Sequence, residues 1–112
     1  MIKITKDSNF YIKVSGKENL ELLSRELFDN YPDLGWSYSE DKTPIIKVLE
    51  TECPEDCKKI FNMEKEVYIH INPYFNLSYT IHRSTAKDSG LLIIDYKEYN
   101  TTKSQLLSWL NK

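Results

Sequence analysis

The chain has 112 residues with 15 basic and 17 acidic side chains, two cysteines, two histidines and three glycines. That length suits one domain over residues 1–112 with a core that needs no disulfide or metal, and 40% hydrophobic against 29% charged residues excludes a disordered chain. A net charge of −2 supplies no overall field for nucleic acid or an anionic membrane. Leu91 to Ile94, the longest strictly apolar run, cannot span a bilayer, and no apolar signal core follows Met1, so a cytoplasmic location is expected.

Phe10-Tyr11-Ile12-Lys13-Val14 has strand composition, and Phe10, Ile12 and Val14 alternate onto one face. Ser15-Gly16-Lys17-Glu18 reads as a capping box for a helix with Leu20, Leu23, Leu27 and Tyr31 on one side, widened by Leu22 and Phe28 and ended by Pro32. Gly35 to Ser39 predicts a short strand, Glu40 to Pro44 a reversing turn, and Ile45 to Leu49 a second strand. Cys53-Pro54-Glu55-Asp56 opens a short helix, because proline suits the first helical position and acids suit its positive end. The apolar side of that helix is Cys57, Ile60 and Phe61.

Val67, Ile69 and Ile71 alternate with Tyr68, His70 and Asn72, and Leu77, Tyr79 and Ile81 alternate with Ser78, Thr80 and His82. The turn-rich Asn72 to Asn76 lies between, so a hairpin is predicted. Centred on Tyr74, its register sets Ser78 opposite His70 and Glu66 opposite His82. Ser84 to Gly90 reads as a polar loop, and Leu91 to Tyr96 as a strand covered on both faces, since apolar residues fill both parities. Thr102-Lys103-Ser104-Gln105 is a second capping box ahead of an amphipathic helix with Leu106, Trp109 and Leu110. The order β-α-β-β-α-β-β-β-α defines an α+β fold, a mostly antiparallel sheet of about five to six strands with two to three helices packed on one face.

Catalytic and metal-binding patterns are incomplete. Cys53, Cys57 and His70 approach a zinc-finger spacing, but Tyr74, Phe75 and Asn76 stand where a fourth ligand belongs, and His82 lies well beyond. No metal or cofactor is therefore expected. Glu52, Glu55 and Asp56 surround Cys53 with negative charge, which opposes a nucleophilic thiolate. His82-Arg83-Ser84 has the His-x-Ser form of two-histidine phosphoesterases, yet His70-Ile71-Asn72 lacks the matching hydroxyl. A hydrolase built on His82 is the weakest reading, and the chain is expected not to be an enzyme. The segment His82, Arg83, Ser84 and Lys87 offers an imidazole, a guanidinium, a hydroxyl and an ammonium, groups that suit a nucleotide or other small anion. It lacks the glycine spacing of a phosphate cradle. Eight tyrosines, four phenylalanines and two tryptophans are the unusual part of the composition. Tyr31, Trp36 and Tyr38, set among acids, form a candidate protein-recognition patch.

Gly35 to Ser39, Pro44, Tyr68-Ile69-His70-Ile71 and Leu77-Ser78-Tyr79 together give the chain a resemblance to short bacteriophage and prophage accessory proteins. Those run from a helix to a Gly-aromatic-x-Trp-x-Ser-Gly segment, a proline, a Tyr-Ile-x-Ile strand and a Leu-x-Tyr strand. Here Tyr38 stands in place of the tryptophan, Glu40 in place of the last glycine, and the helix from Pro54 is an insertion. The resemblance implies a small factor that binds and inhibits a host or defence protein. A non-enzymatic protein binder is thus the leading expectation, a nucleotide or anion sponge its alternative, with homo-oligomerisation through a strand edge open under both. The near-neutral total also hides a division. Residues 18–56 carry eleven acidic and three basic groups, whereas 1–17 and 57–112 are each net positive.

Overall fold

The two-residue periodicity around Ile12 and Ile69 builds the centre of a mixed sheet. The computed structural model describes residues 4–39 and 41–96. In chain order the elements are β1 (Phe10–Val14), α1 (Lys17–Asn30), β2 (Gly35–Trp36), α2 (Ile45–Glu52), α3 (Pro54–Phe61), β3 (Val67–Asn72), β4 (Asn76–Thr80), α4 (Arg83–Asp88) and β5 (Ile93–Asp95). The strands lie in the order β2-β4-β3-β1-β5. The inner pairings, β1 with β3 and β3 with β4, are antiparallel; the outer ones, β1 with β5 and β2 with β4, are parallel. The fold class is α+β, as the sequence indicates, with parallel edges added to the antiparallel centre. The helix expected after Thr102 lies outside the described residues.

The hairpin holds the predicted register, with His70 opposite Ser78 and Tyr68 opposite Thr80. Its turn requires a left-handed residue, and Phe75 fills that position at φ 59°. Two contacts hold it there: its N–H donates to the Asn72 carbonyl at 3.0 Å, and its ring meets Tyr31 edge-on at 6.2 Å.

One sheet face carries Ile12, Val14, Val67, Ile69, Ile71 and Leu77 against Leu20, Leu23 and Leu27 of α1, Ile45, Val48 and Leu49 of α2, and Cys57 and Ile60 of α3. On the opposite face Tyr11 and Tyr68 are buried with Ala86 of α4, and Leu91 and Ile93 pack around them. Helices therefore cover both faces, which corrects the one-sided arrangement. The strand expected over Leu91 to Tyr96 and covered on both faces is shortened to the edge strand β5, whose three residues are all half-buried; Ile93 packs on the α4 side and Tyr96, just past the strand, joins the main core. Leu92, just ahead of β5, stays exposed.

Residues 45–49 form a helix, not the expected strand. Ile45, Val48 and Leu49 sit at i, i+3 and i+4, and all three are buried. Burying each is worth about 1.5–3 kcal/mol, whereas a β-branched residue costs a helix only a few tenths to about 0.7 kcal/mol, so burial decides. The Ile45 amide, an orphan donor of the first turn, gives its hydrogen to Ser24 Oγ at 3.0 Å inside the core. The loop expected at Ser84 to Gly90 is likewise helical through α4, because Ala86 gains complete burial there. The capping box at Ser15 is not used. Gly16 caps α1 at φ 89°, and its N–H donates to the Ile60 carbonyl at 2.8 Å, tying the start of α1 to the end of α3. No helix among the described residues is long and apolar enough to cross a membrane.

Candidate functional site

β2 stops after two residues, and a groove lies beside β4 where it ends. Ser37 N–H donates to the Leu77 carbonyl at 2.8 Å, then the chain turns off β4, with Ser39 N–H reaching back to the Trp36 carbonyl at 3.3 Å. Trp36 holds this turn in place. Its indole is fully buried, its Nε1–H donates to the Thr43 carbonyl at 2.7 Å, and its backbone N–H donates to the Asp41 carbonyl at 3.0 Å.

Beyond the turn, Ser78 to His82 line a groove of about 480 Å3 together with Tyr38, Glu52 and Cys53. Ser78, Tyr79 and Thr80 belong to β4, and Ile81 and His82 follow it on the way to α4, so the groove runs along the end of the strand's edge and past it. The Leu77 carbonyl points toward β2. Because backbone direction alternates along a strand, the polar groups of Ser78 and Thr80 then face β3 and those of Tyr79 face the groove.

The walls are aromatic and acidic. Tyr79 donates its hydroxyl hydrogen to Glu52 Oε2 at 3.1 Å. Its ring meets the buried Trp36 edge-on at 6.2 Å, and Tyr38, 60% exposed, lies 6.0 Å from the same indole. Burial first, then the charges of Glu52 and Asp41, raise the Tyr38 hydroxyl above its ordinary range. Burial also pushes Tyr79 far up, with Cys53 and Glu52 adding to it. The Cys53 thiol rises through burial; its hydrogen bond with Tyr79 opposes that, and the charges of Asp56 and Glu52 reinforce it. All three groups resist taking negative charge, and a thiol kept neutral is a poor nucleophile. Tyr38, Cys53 and Tyr79 therefore line the groove in their neutral forms.

The residues expected to act together are separated. His82 lies in the groove, whereas Arg83 lines a different cavity of about 300 Å3 beside Glu64, Lys65, Glu66 and Tyr68. Arg83 and Lys87 are one helical turn apart on α4, and Ser84 and Lys87 are exposed. The anion-binding set thus does not converge on one pocket. The aromatic set is corrected as well: Trp36 belongs to the core and has no surface to offer a partner. Tyr31 is half-buried and accepts the Ile4 N–H on its hydroxyl at 2.9 Å, leaving Tyr38 as the exposed member. Glu52, Tyr79 and Ile81 were not picked out from sequence. Tyr79 and Ile81 are visible there only as members of the Leu77–Ile81 alternation, and Glu52 only as one of the acids beside Cys53.

On the other face His70 stacks on Tyr11 at 4.6 Å and donates Nε2–H to Asn9 Oδ1 at 2.7 Å, while Ser78 Oγ–H approaches its Nδ1 at 3.5 Å. The order Ser-His-Asn matches a nucleophile, base and orienting group. The Ser78 contact lies at the outer limit of a hydrogen bond, and the Ser78 amide is turned toward β3, away from any oxyanion position on that face. The cluster positions side chains across β1, β3 and β4. Among the described residues no three His, Cys, Asp or Glu side chains converge to hold a metal ion, and both cysteines are free thiols. No protein-family model matches the chain, and no curated protein or solved structure matches it.

Proposed function

We propose that this chain is a non-enzymatic binding protein that captures a partner protein in the groove beside β4. It would act as a phage-type accessory factor that binds and inhibits a host or defence protein in the host cytoplasm. The observation that carries this reading is the groove itself, a strand edge that no strand among the described residues covers, between the exposed Tyr38 and Glu52, which has no ion-pair partner among those residues. An exposed tyrosine resting on a buried indole offers large contact area with little side-chain freedom to lose, which suits a recognition anchor.

Affinity capture from bacterial lysate tests the proposal with three immobilised forms: wild type, Tyr38→Ala and Lys87→Ala. A protein retained by wild type and Lys87→Ala, and lost with Tyr38→Ala, is the expected result. Retention that ignores Tyr38 but disappears with Lys87→Ala refutes it and moves attention to α4.

A further inference from the structure

We infer that the segment captured in this groove is an extended, basic stretch of polypeptide that joins the sheet as a new strand on β4. This rests on the proposal that the groove binds a partner protein, and adds how the partner is held. The backbone N–H and C=O of Tyr79 point into the groove, on the stretch of β4 that β2 does not cover. From Ser78 to Thr80, where β4 ends, the edge runs about 7 Å, enough to seat about two residues of an incoming strand. Exposed edges of this kind pair readily with another chain, which supplies affinity through the main chain and selectivity through alternate side chains.

Charge selects the occupant. Asp56 is held by Lys65 at 3.0 Å, whereas Glu52 has no basic partner within ion-pair distance among the described residues. Glu52 lines the groove, and the charge of Asp41 bears on the same Tyr38 hydroxyl, so a second carboxylate adds to the field at Tyr38. A lysine or arginine on the incoming strand meets that field with opposite charge. A second copy of this chain does not fit as well. Pairing two β4 edges about Tyr79 brings two Glu52 carboxylates close to one axis, since each is hydrogen-bonded to its own Tyr79, and like charges placed directly across a strand pair destabilise it.

The test uses the chain of residues 1–112 labelled with 15N and three capped heptapeptides at up to about 2 mM, which reaches weak binding. The first alternates lysine and valine, the second alternates glutamate and valine, and the third is the lysine form N-methylated throughout, which removes its main-chain donors. The lysine peptide should shift the amide signals of Tyr38, Glu52 and Tyr79 and slow hydrogen exchange at the Tyr79 amide by about tenfold or more. The glutamate peptide should not bind, and N-methylation should weaken binding by about tenfold or more.

No response to the lysine peptide, or equal binding of the N-methylated form, overturns the inference. Shifts at Tyr38 and Glu52 with an unchanged Tyr79 amide also overturn strand addition, while leaving the groove as a partner site. A protected Tyr79 amide without peptide, in a chain that sediments as a dimer, makes a second copy the occupant and overturns the basic segment. The broader reading fails separately, by lysate capture that ignores Tyr38.

Discussion

His70 shows how far one side chain's setting can be read into behaviour. Stacked on Tyr11 and bonded to Asn9, it is desolvated enough that burial lowers its pKa below the ordinary histidine value of about 6.5. Between that value and the lower folded one, the unfolded chain takes up a proton that the folded chain refuses. Stability therefore falls as pH drops through this interval and levels off below it. The urea midpoint of wild type should decline more between pH 7.5 and pH 5.5 than that of His70→Gln, in which an amide donor still reaches Asn9 without titrating. Equal declines would detach this residue from the pH dependence. Trp36 carries the opposite lesson. An indole beside acids reads as a recognition residue, yet its Nε1–H finds a partner at the Thr43 carbonyl and its ring lies in the core. Tyr and Trp serve both purposes, and composition cannot separate them.

At the scale of elements, strands and the first helix were legible because their periodicity is local: Val67, Ile69 and Ile71 announce β3, and Leu20, Leu23 and Leu27 announce α1. What was not legible depends on tertiary burial. α2 has β-branched composition but helical spacing, and α4 exists around a single buried alanine. The groove is not written in the sequence for the same reason, since it depends on β2 ending at Trp36 where Gly35 to Ser39 has the composition of a longer strand. The junction before α1 permits a prediction at this scale. Gly16 sits at φ 89° and ψ 135°, and an added Cβ would meet Met63 Cγ at 3.5 Å, an ordinary contact. Gly16→Ala should therefore destabilise through backbone strain and not through a clash, by about 1–3 kcal/mol in urea unfolding. Relaxing that strain is hard, because the Gly16 N–H is held by the Ile60 carbonyl and its own carbonyl accepts the Leu20 N–H at 3.1 Å. A variant as stable as wild type would mean the junction can adopt another conformation.

Over the whole molecule, the hidden charge division becomes spatial. The acidic stretch 18–56 supplies most of α1, all of α2 and the start of α3, the layer whose α2–α3 corner carries Glu52 and Cys53 at the groove. Arg83 and Lys87 stand on α4, which packs on the other face of the sheet. The proposed basic partner would therefore meet a field broader than Glu52 alone as it approached the groove. Such steering acts over about a Debye length, roughly 10 Å at 0.1 M salt and 3 Å at 1 M. Raising salt should slow association markedly while changing dissociation much less, since charge at the rim acts mainly on the encounter and buried contacts on the release. Tyr38→Ala, which removes contact area and no charge, should do the reverse. Surface plasmon resonance with the captured partner across that salt range separates the two. Glu52→Gln should flatten the salt dependence of association without erasing it, because Asp41 and the rest of the acidic layer persist. If association is indifferent to salt, the acidic layer does not recruit the partner, and recognition rests on Tyr38 and the strand edge alone.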